Sequence, residues 1–465
     1  MDDSDLQRSD AFPELALTNR WQNLFQDRRA AIEAISDAEI LPYVRTNNYQ
    51  DSAGRLTLAD ALRTPPPTWD SDRDGRWAGF KPDCYFQFDA EGFDHALDGS
   101  LTGWRSFAYA PFPGVSLPNQ GSMGDALIRL PALYQQREDG QRDLEIYRLN
   151  LAIVEAIIKR TNIPIEPVQE EQYGVDLNRD GSLTQASEIV YAWAPRQDVR
   201  MSFVGAARAA VKAGKVPPPT AGLYPTGTEF LHSVRYLDVN AAGEVVMGQR
   251  MKELRYARKV RWLTYAQLSM SVSKEAHEKR RNPDQLKRVM GDQERGVSTG
   301  NGWILQGFIE DSAGALRPQT FEEQLFCVGC HSGIGATTDA TFAFPRKVTA
   351  STSARGWSHP LRAVSAQDQL ELAEAGGDIT PYLQRSFTAG SFGEDTDVDS
   401  RLFDRKHLLK LGVVKALTQS LSPLLPSRAQ ALMLNKTYRL IVQEQSYTLG
   451  RDATVAPARF VHRQL

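Results

Sequence analysis

Residues 326–335 read Phe-Cys-Val-Gly-Cys-His-Ser-Gly-Ile-Gly. Within them, Cys327-x-x-Cys330-His331 sets two thiols and an imidazole at a spacing with a definite chemistry. The thiols can add across the two vinyl groups of a haem while the imidazole reaches the iron from one side. Two other chemistries use such a pair of cysteines. Tetrahedral zinc needs four ligands, and the remaining cysteine, Cys84, is distant in sequence. A redox dithiol opens a helix after a buried strand, and Leu325-Phe326 is short for such a strand. The spacing favours haem attachment and leaves the other two open.

A second constellation is rich in oxygen. Asp176-x-Asn178-x-Asp180-Gly181-x-Leu183-Thr184 matches positions one, three, five, six and nine of an EF-hand calcium loop, with Leu183 at the apolar position eight. Position twelve is Ser187, so the bidentate carboxylate is expected one residue late, from Glu188. Asp176, Asn178, Asp180 and Glu188 are the expected calcium ligands, against the plainer alternative of an Asx-rich turn that binds nothing. A related run, Asp70-x-Asp72-x-Asp74-Gly75, carries only the first half of such a loop, has Lys81 at position twelve, and reads as a solvated acidic turn.

The Cys-x-x-Cys-His run resembles the attachment motif of c-type cytochromes, and the chain is similar to large single-haem bacterial proteins of unassigned reaction. The resemblance covers Cys327 to His331 alone. It implies haem c as cofactor, thioether bonds at Cys327 and Cys330, and His331 as the proximal iron ligand. No methionine lies between His331 and Met433, so the distal iron ligand is expected upstream, at Met251 ahead of His232 and then His359. The function implied is periplasmic electron transfer with a redox partner protein. Its alternative is a haem-dependent oxidoreductase, peroxidase-like or oxidising a small molecule, with an open distal iron site. Haem is attached after export, so the export signal is taken to have been removed ahead of Met1.

Composition sets outer bounds. A chain of 465 residues exceeds the size at which one core keeps growing, which implies two or three domains or one core with long loops. Lys and Arg number 54 against 57 Asp and Glu, so no cation excess is available for general nucleic-acid binding. No apolar run reaches the ~18 residues of a membrane-spanning helix. Gly-x-Ser-x-Gly, Walker and dinucleotide fingerprints are absent, which leaves hydrolase and nucleotide readings without support.

The elements that must position these residues follow from periodicity. Helical spacing is expected within 14–45, in 123–160, at 203–212 and at 399–417, with a last helix or strand at 438–447. Residues 64–122 are rich in Pro, Gly and aromatics and read as loop. Alternation from Glu229 to Val239 predicts a strand turning at Ala241-Ala242-Gly243, and Trp303 to Ile309 predicts a second hairpin. Arg250 to Arg261, with six cations against the single acid Glu253, reads as a basic helix. The motif helix should start near Thr320, with Glu322 and Glu323 in its first turn, and stop at Gly333 and Gly335. The expected fold is mixed α+β, predominantly helical with short strands, hairpins and long loops, the motif helix lying towards the C-terminal third. It divides into 1–122 (an N-terminal helix and an aromatic loop region), 123–220 (helical, with the calcium-type loop) and 221–465 (haem-binding).

Overall fold

The computed structural model describes residues 28–106, 121–281, 289–331, 339–341, 400–417, 423 and 425–448. Nine strands among them form one antiparallel sheet: β1 (Phe93–His95), β2 (Leu101–Ser106), β3 (Ala126–Arg129), β6 (Glu229–Val239), β7 (Val245–Lys259), β10 (Trp303–Glu310), β9 (Gly296–Ser298) and β8 (Met290–Asp292) in spatial order, with β11 (Leu316–Pro318) also paired to β10. A separate hairpin joins β4 (Ile163–Gln169) to β5 (Gln185–Ile189). The sheet draws strands from all three sequence stretches, 1–122, 123–220 and 221–465.

This corrects the predominantly helical expectation: the antiparallel sheet organises the fold, and helices cover it. The error has a physical source in β7. Its cations do not follow a solvent-facing pattern, because Arg250, Lys252 and Lys259 are buried. Arg250 Nε donates to Glu310 Oε1 at 2.5 Å, and Lys259 pairs with Asp339. Buried, paired charges hide a strand from any reading that equates charge with exposure. The β6–β7 hairpin itself lies where alternation placed it. Asn240 Oδ1 accepts from Ala242 N and Glu244 N at 3.0 and 2.9 Å, and Gly243 supplies the positive φ of 83° that closes the turn.

Opposite faces of the sheet are covered differently. On β10, Phe308 and Leu305 are three residues apart and so point to opposite sides. Phe308 shares a cluster with Met251, Leu254 and Tyr256 of β7 and with the aromatic segment expected to be loop, where Trp77 and Trp104 are buried and Phe80 stacks on Tyr256 at 3.9 Å. Leu305 packs on Val297 and on Val328 of a helix, α7 (Phe321–Cys330), which follows α1 (Arg29–Glu33), α2 (Asp37–Arg45), α3 (Thr57–Ala61), α4 (Leu144–Lys159), α5 (Gly205–Lys212) and α6 (Tyr265–Arg281) in chain order. The chain continues with α8 (Leu411–Leu417) and α9 (Arg428–Glu444), and α9 packs with α2 over Tyr236 and Ile309.

Two helices show how local sequence sets their limits. Asp143 caps α4 by accepting from Glu145 N and Ile146 N, and the helix is buried along nearly its whole length from Ile146 to Ile158. It anchors the largest cluster and carries the β4–β5 hairpin against its side. At the start of α7, Thr320 accepts from Glu323 N while Glu323 accepts from Thr320 N, a capping box on the expected first turn. Arg317 then clamps Glu323 with two bonds of 2.8 Å.

Candidate metal site

The β4–β5 hairpin is the frame of the oxygen-rich loop. Val168 pairs with Ala186, Gln169 with Gln185, and Glu170 N donates to Thr184 O at 2.8 Å, so residues 171–183 are a loop closed by a ladder. Glu170 is fully buried at the loop's root. Its Oε1 accepts from Leu177 N at 2.5 Å and Asn178 N at 3.1 Å, and its Oε2 from Thr184 N at 3.1 Å. One carboxylate thereby ties the second, third and ninth positions of the loop together.

Within the loop, Asp176 Oδ2 accepts from Gly181 N at 3.0 Å, and Asn178 Oδ1 accepts from Asp180 N at 3.0 Å. Arg179 and Gly181 take φ of 59° and 88°, which gives the sharp turn that brings positions one and five together. Asp180 Oδ1 accepts from the hydroxyl and backbone N–H of Ser182, and these bonds lower its pKa. Carboxylate oxygens of Glu170, Asp176 and Asp180 all lie within 4.8 Å of one another. The second oxygen of Asp176, Oδ1, is shielded from solvent and accepts no hydrogen bond.

Such a set suits a hard cation with several oxygen ligands, calcium before any softer metal. The expected ligands are only partly brought together. Asp176, Asn178 and Asp180 converge, but Glu188 lies in β5 opposite Pro164 and accepts from Asn162 Nδ2 at 3.1 Å. The carboxylate that completes the cluster is Glu170, six residues before the loop's first ligand. No spacing in the sequence marks it, since it enters through the pairing of β4 with β5; a search confined to position twelve passes over it.

The Asp70 loop repeats the same skeleton. Asp70 Oδ2 accepts from Gly75 N at 2.7 Å, and the fully buried Glu294 accepts from Ser71 N and Ala78 N, again the second and ninth positions. Here, however, Arg295 forms an ion pair with Asp72, so a protein cation already answers the loop's charge. No ion pair reaches Glu170, Asp176 or Asp180 among the described residues.

The Cys327-x-x-Cys330-His331 run occupies the end of α7. Cys327 is half-buried, in contact with the cluster of Val297, Leu305 and Val328; the Cys330 side chain lies outside the described residues. His331 caps the helix, its N–H bonded to Cys327 O at 2.9 Å. Its ring sits near Arg255 and His232 and hydrogen-bonds to the Thr341 backbone. Burial first, and Arg255 second, push the pKa of each imidazole down to about 4. Met251, the expected distal iron ligand, is on the other face of the sheet. Its pairing with Arg235, while Glu253 pairs with Val234, leaves Lys252 in a bulge, and this turns Met251 to the side of Leu254 and Phe308. His359 lies outside the described residues.

Fold and site define a sheet-based protein with an acidic loop on a hairpin, and no helix among the described residues is long and apolar enough to cross a membrane. A family profile described as a -like lipoprotein matches residues 2–393, and the chain belongs to that lipoprotein family. An uncharacterized lipoprotein of Aquifex aeolicus (strain VF5) is 27% identical over 500 residues, covering 97% of this chain and 78% of the relative. No solved structure matches. Family membership overturns the c-type cytochrome, and with it both the electron-transfer and the haem-oxidoreductase readings. The match runs through the motif, and neither the family nor the relative is described as a haem protein. Five positions of spacing bear on attachment chemistry and carry no information about the pocket a haem would need. A lipoprotein is exported and membrane-anchored, which puts the protein outside the cytoplasm.

Proposed function

We propose that this chain is the periplasmic body of a membrane-anchored lipoprotein, and that its 170–184 loop binds one calcium ion that holds the β4–β5 hairpin in shape. The observation that carries the reading is Asp176 Oδ1, shielded and without a donor beside the carboxylates of Glu170 and Asp180. A buried carboxylate oxygen lacking a partner costs free energy unless something positive meets it. Side-chain ligands come from Asp176, Asn178, Asp180 and Glu170, and the ion's role is to neutralise three carboxylates that the loop's own turns force together.

Thermal unfolding tests this. For a site with the ~0.1 mM dissociation constant of weak extracellular modules, about 5 mM calcium stabilises the folded chain by roughly 2.3 kcal/mol, an upward Tm shift of several degrees at most. Magnesium should give less, because it demands octahedral geometry and sheds water reluctantly. Equal melting in chelator and in calcium overturns the reading.

A further inference from the structure

We infer that the outer face of α6 is a docking surface for anionic phospholipid headgroups of the membrane to which the lipoprotein is tethered. Among the described residues, the contacts that anchor the helix come from one side. Leu268 packs on Leu223 and Leu263, Ala276 is buried, and Ser271 Oγ donates to Asn301 Oδ1 at 2.5 Å. Opposite that side, Met270, Lys274, His277 and Arg281 fall at successive spacings of four, three and four, one stripe along a helix, and all four are exposed. Met270 is 64% exposed, high for an apolar side chain on an otherwise polar helix. Arg280 flanks the stripe, and its single acid, Glu278, is placed against Lys274 at 3.7 Å.

Charge picks out the occupant. On α6, Lys274, Arg280 and Arg281 are exposed against one exposed acid, Glu278, in a chain whose net charge is -3; Lys259, buried against Asp339, adds nothing to this surface. Arg258 and Arg261, just before the helix, are exposed and add to the same sign. An excess this local on an acidic protein is suited to a negatively charged plane, and a tethered protein meets such a plane at all times. Met270 among the cations supplies an apolar contact of the kind that interfacial helices bury at the headgroup boundary. The inference rests on the membrane-anchored location and is independent of the calcium loop.

The test is co-sedimentation of the lipid-free chain with vesicles, in chelator so that no calcium bridges protein and lipid. Vesicles with about a third phosphatidylglycerol should bind, and pure phosphatidylcholine vesicles should bind far less. Replacing Lys274, Arg280 and Arg281 together by Gln should reduce partitioning roughly a hundredfold, at about fivefold per cation. Glu278→Gln should raise it by about fivefold, and raising salt from about 20 mM to about 500 mM should release the protein. The triple variant changes exposed residues only, and an unchanged Tm confirms that it folds; Glu278→Gln and the salt series read the same surface if it does not. Equal binding to both vesicle types, no binding to either, or a triple variant that binds as well as the parent overturns the inference. A failed calcium response with intact vesicle binding would implicate the loop alone.

Discussion

Lys252→Met should stabilise this protein at neutral and acidic pH. Lys252 is wholly buried in the β7 bulge, donating to Gly121 O and Ser122 Oγ at 3.0 Å each and lying over the rings of Tyr438 and Tyr236 at 4.4 and 5.0 Å. Burial pulls its pKa down from 10.5 to about 7, with Glu253 and Glu310 opposing. Between those values the unfolded chain holds a proton that the folded chain lacks, so stability rises with pH by about 1.4 kcal/mol per unit across that window. Below pH 7 both states are protonated and the full penalty of burying the cation, about 4–5 kcal/mol, is present; above 10.5 it is gone. Methionine removes the charge at similar length but leaves Gly121 O and Ser122 Oγ without their donor, at about 1–2 kcal/mol. The net expectation is a gain of about 3 kcal/mol at pH 6 that shrinks through zero by pH 10. Urea unfolding of both proteins at unit pH steps measures it. A variant destabilised by the same amount at every pH would refute the reasoning, because it would show Lys252 acting through packing and hydrogen bonds alone.

Three further outcomes follow from other sites. Burial holds His232 and His331 neutral, their pKa values pushed from the ordinary 6.5 down to about 4, so their contribution is complete above pH 6.5 and lost as pH falls to 4; the acid limb of the stability curve should flatten by about 3 kcal/mol when His232 is replaced by Gln. Glu310→Ala should cost about 3–5 kcal/mol in denaturant unfolding, since it strands Arg250 and removes the acceptor of the Tyr43 and Tyr236 hydroxyls. Glu170→Gln should destabilise even in chelator by about 2–3 kcal/mol, as its amide turns a donor towards the loop's N–H groups, whereas Glu188→Gln should change stability by less than about 0.5 kcal/mol.

Local chemistry was legible in this sequence where it was satisfied locally. The start of the motif helix near Thr320 and the hairpins turning at Gly243 and Gly314 were visible, because each rests on residues a few positions apart. What was hidden depends on partners far along the chain. Arg250 in β7 is buried only because Glu310 comes from β10, and Glu170 enters the acidic loop only because β4 pairs with β5. The side on which Met251 faces is set by a bulge that no periodicity reveals. The Cys327-x-x-Cys330-His331 spacing was the strongest short-range signal and the least dependable for function, since family membership rests on the length of the chain and not on five residues of it.

Calorimetric titration of calcium into chelator-treated protein tests the central claim most directly. One binding event per chain is predicted, lost in Asp176→Ala and retained in Glu188→Gln, with the Asp70 loop adding none because Arg295 holds Asp72. No heat of binding in the parent protein, or an isotherm that survives Asp176→Ala unchanged, would contradict it.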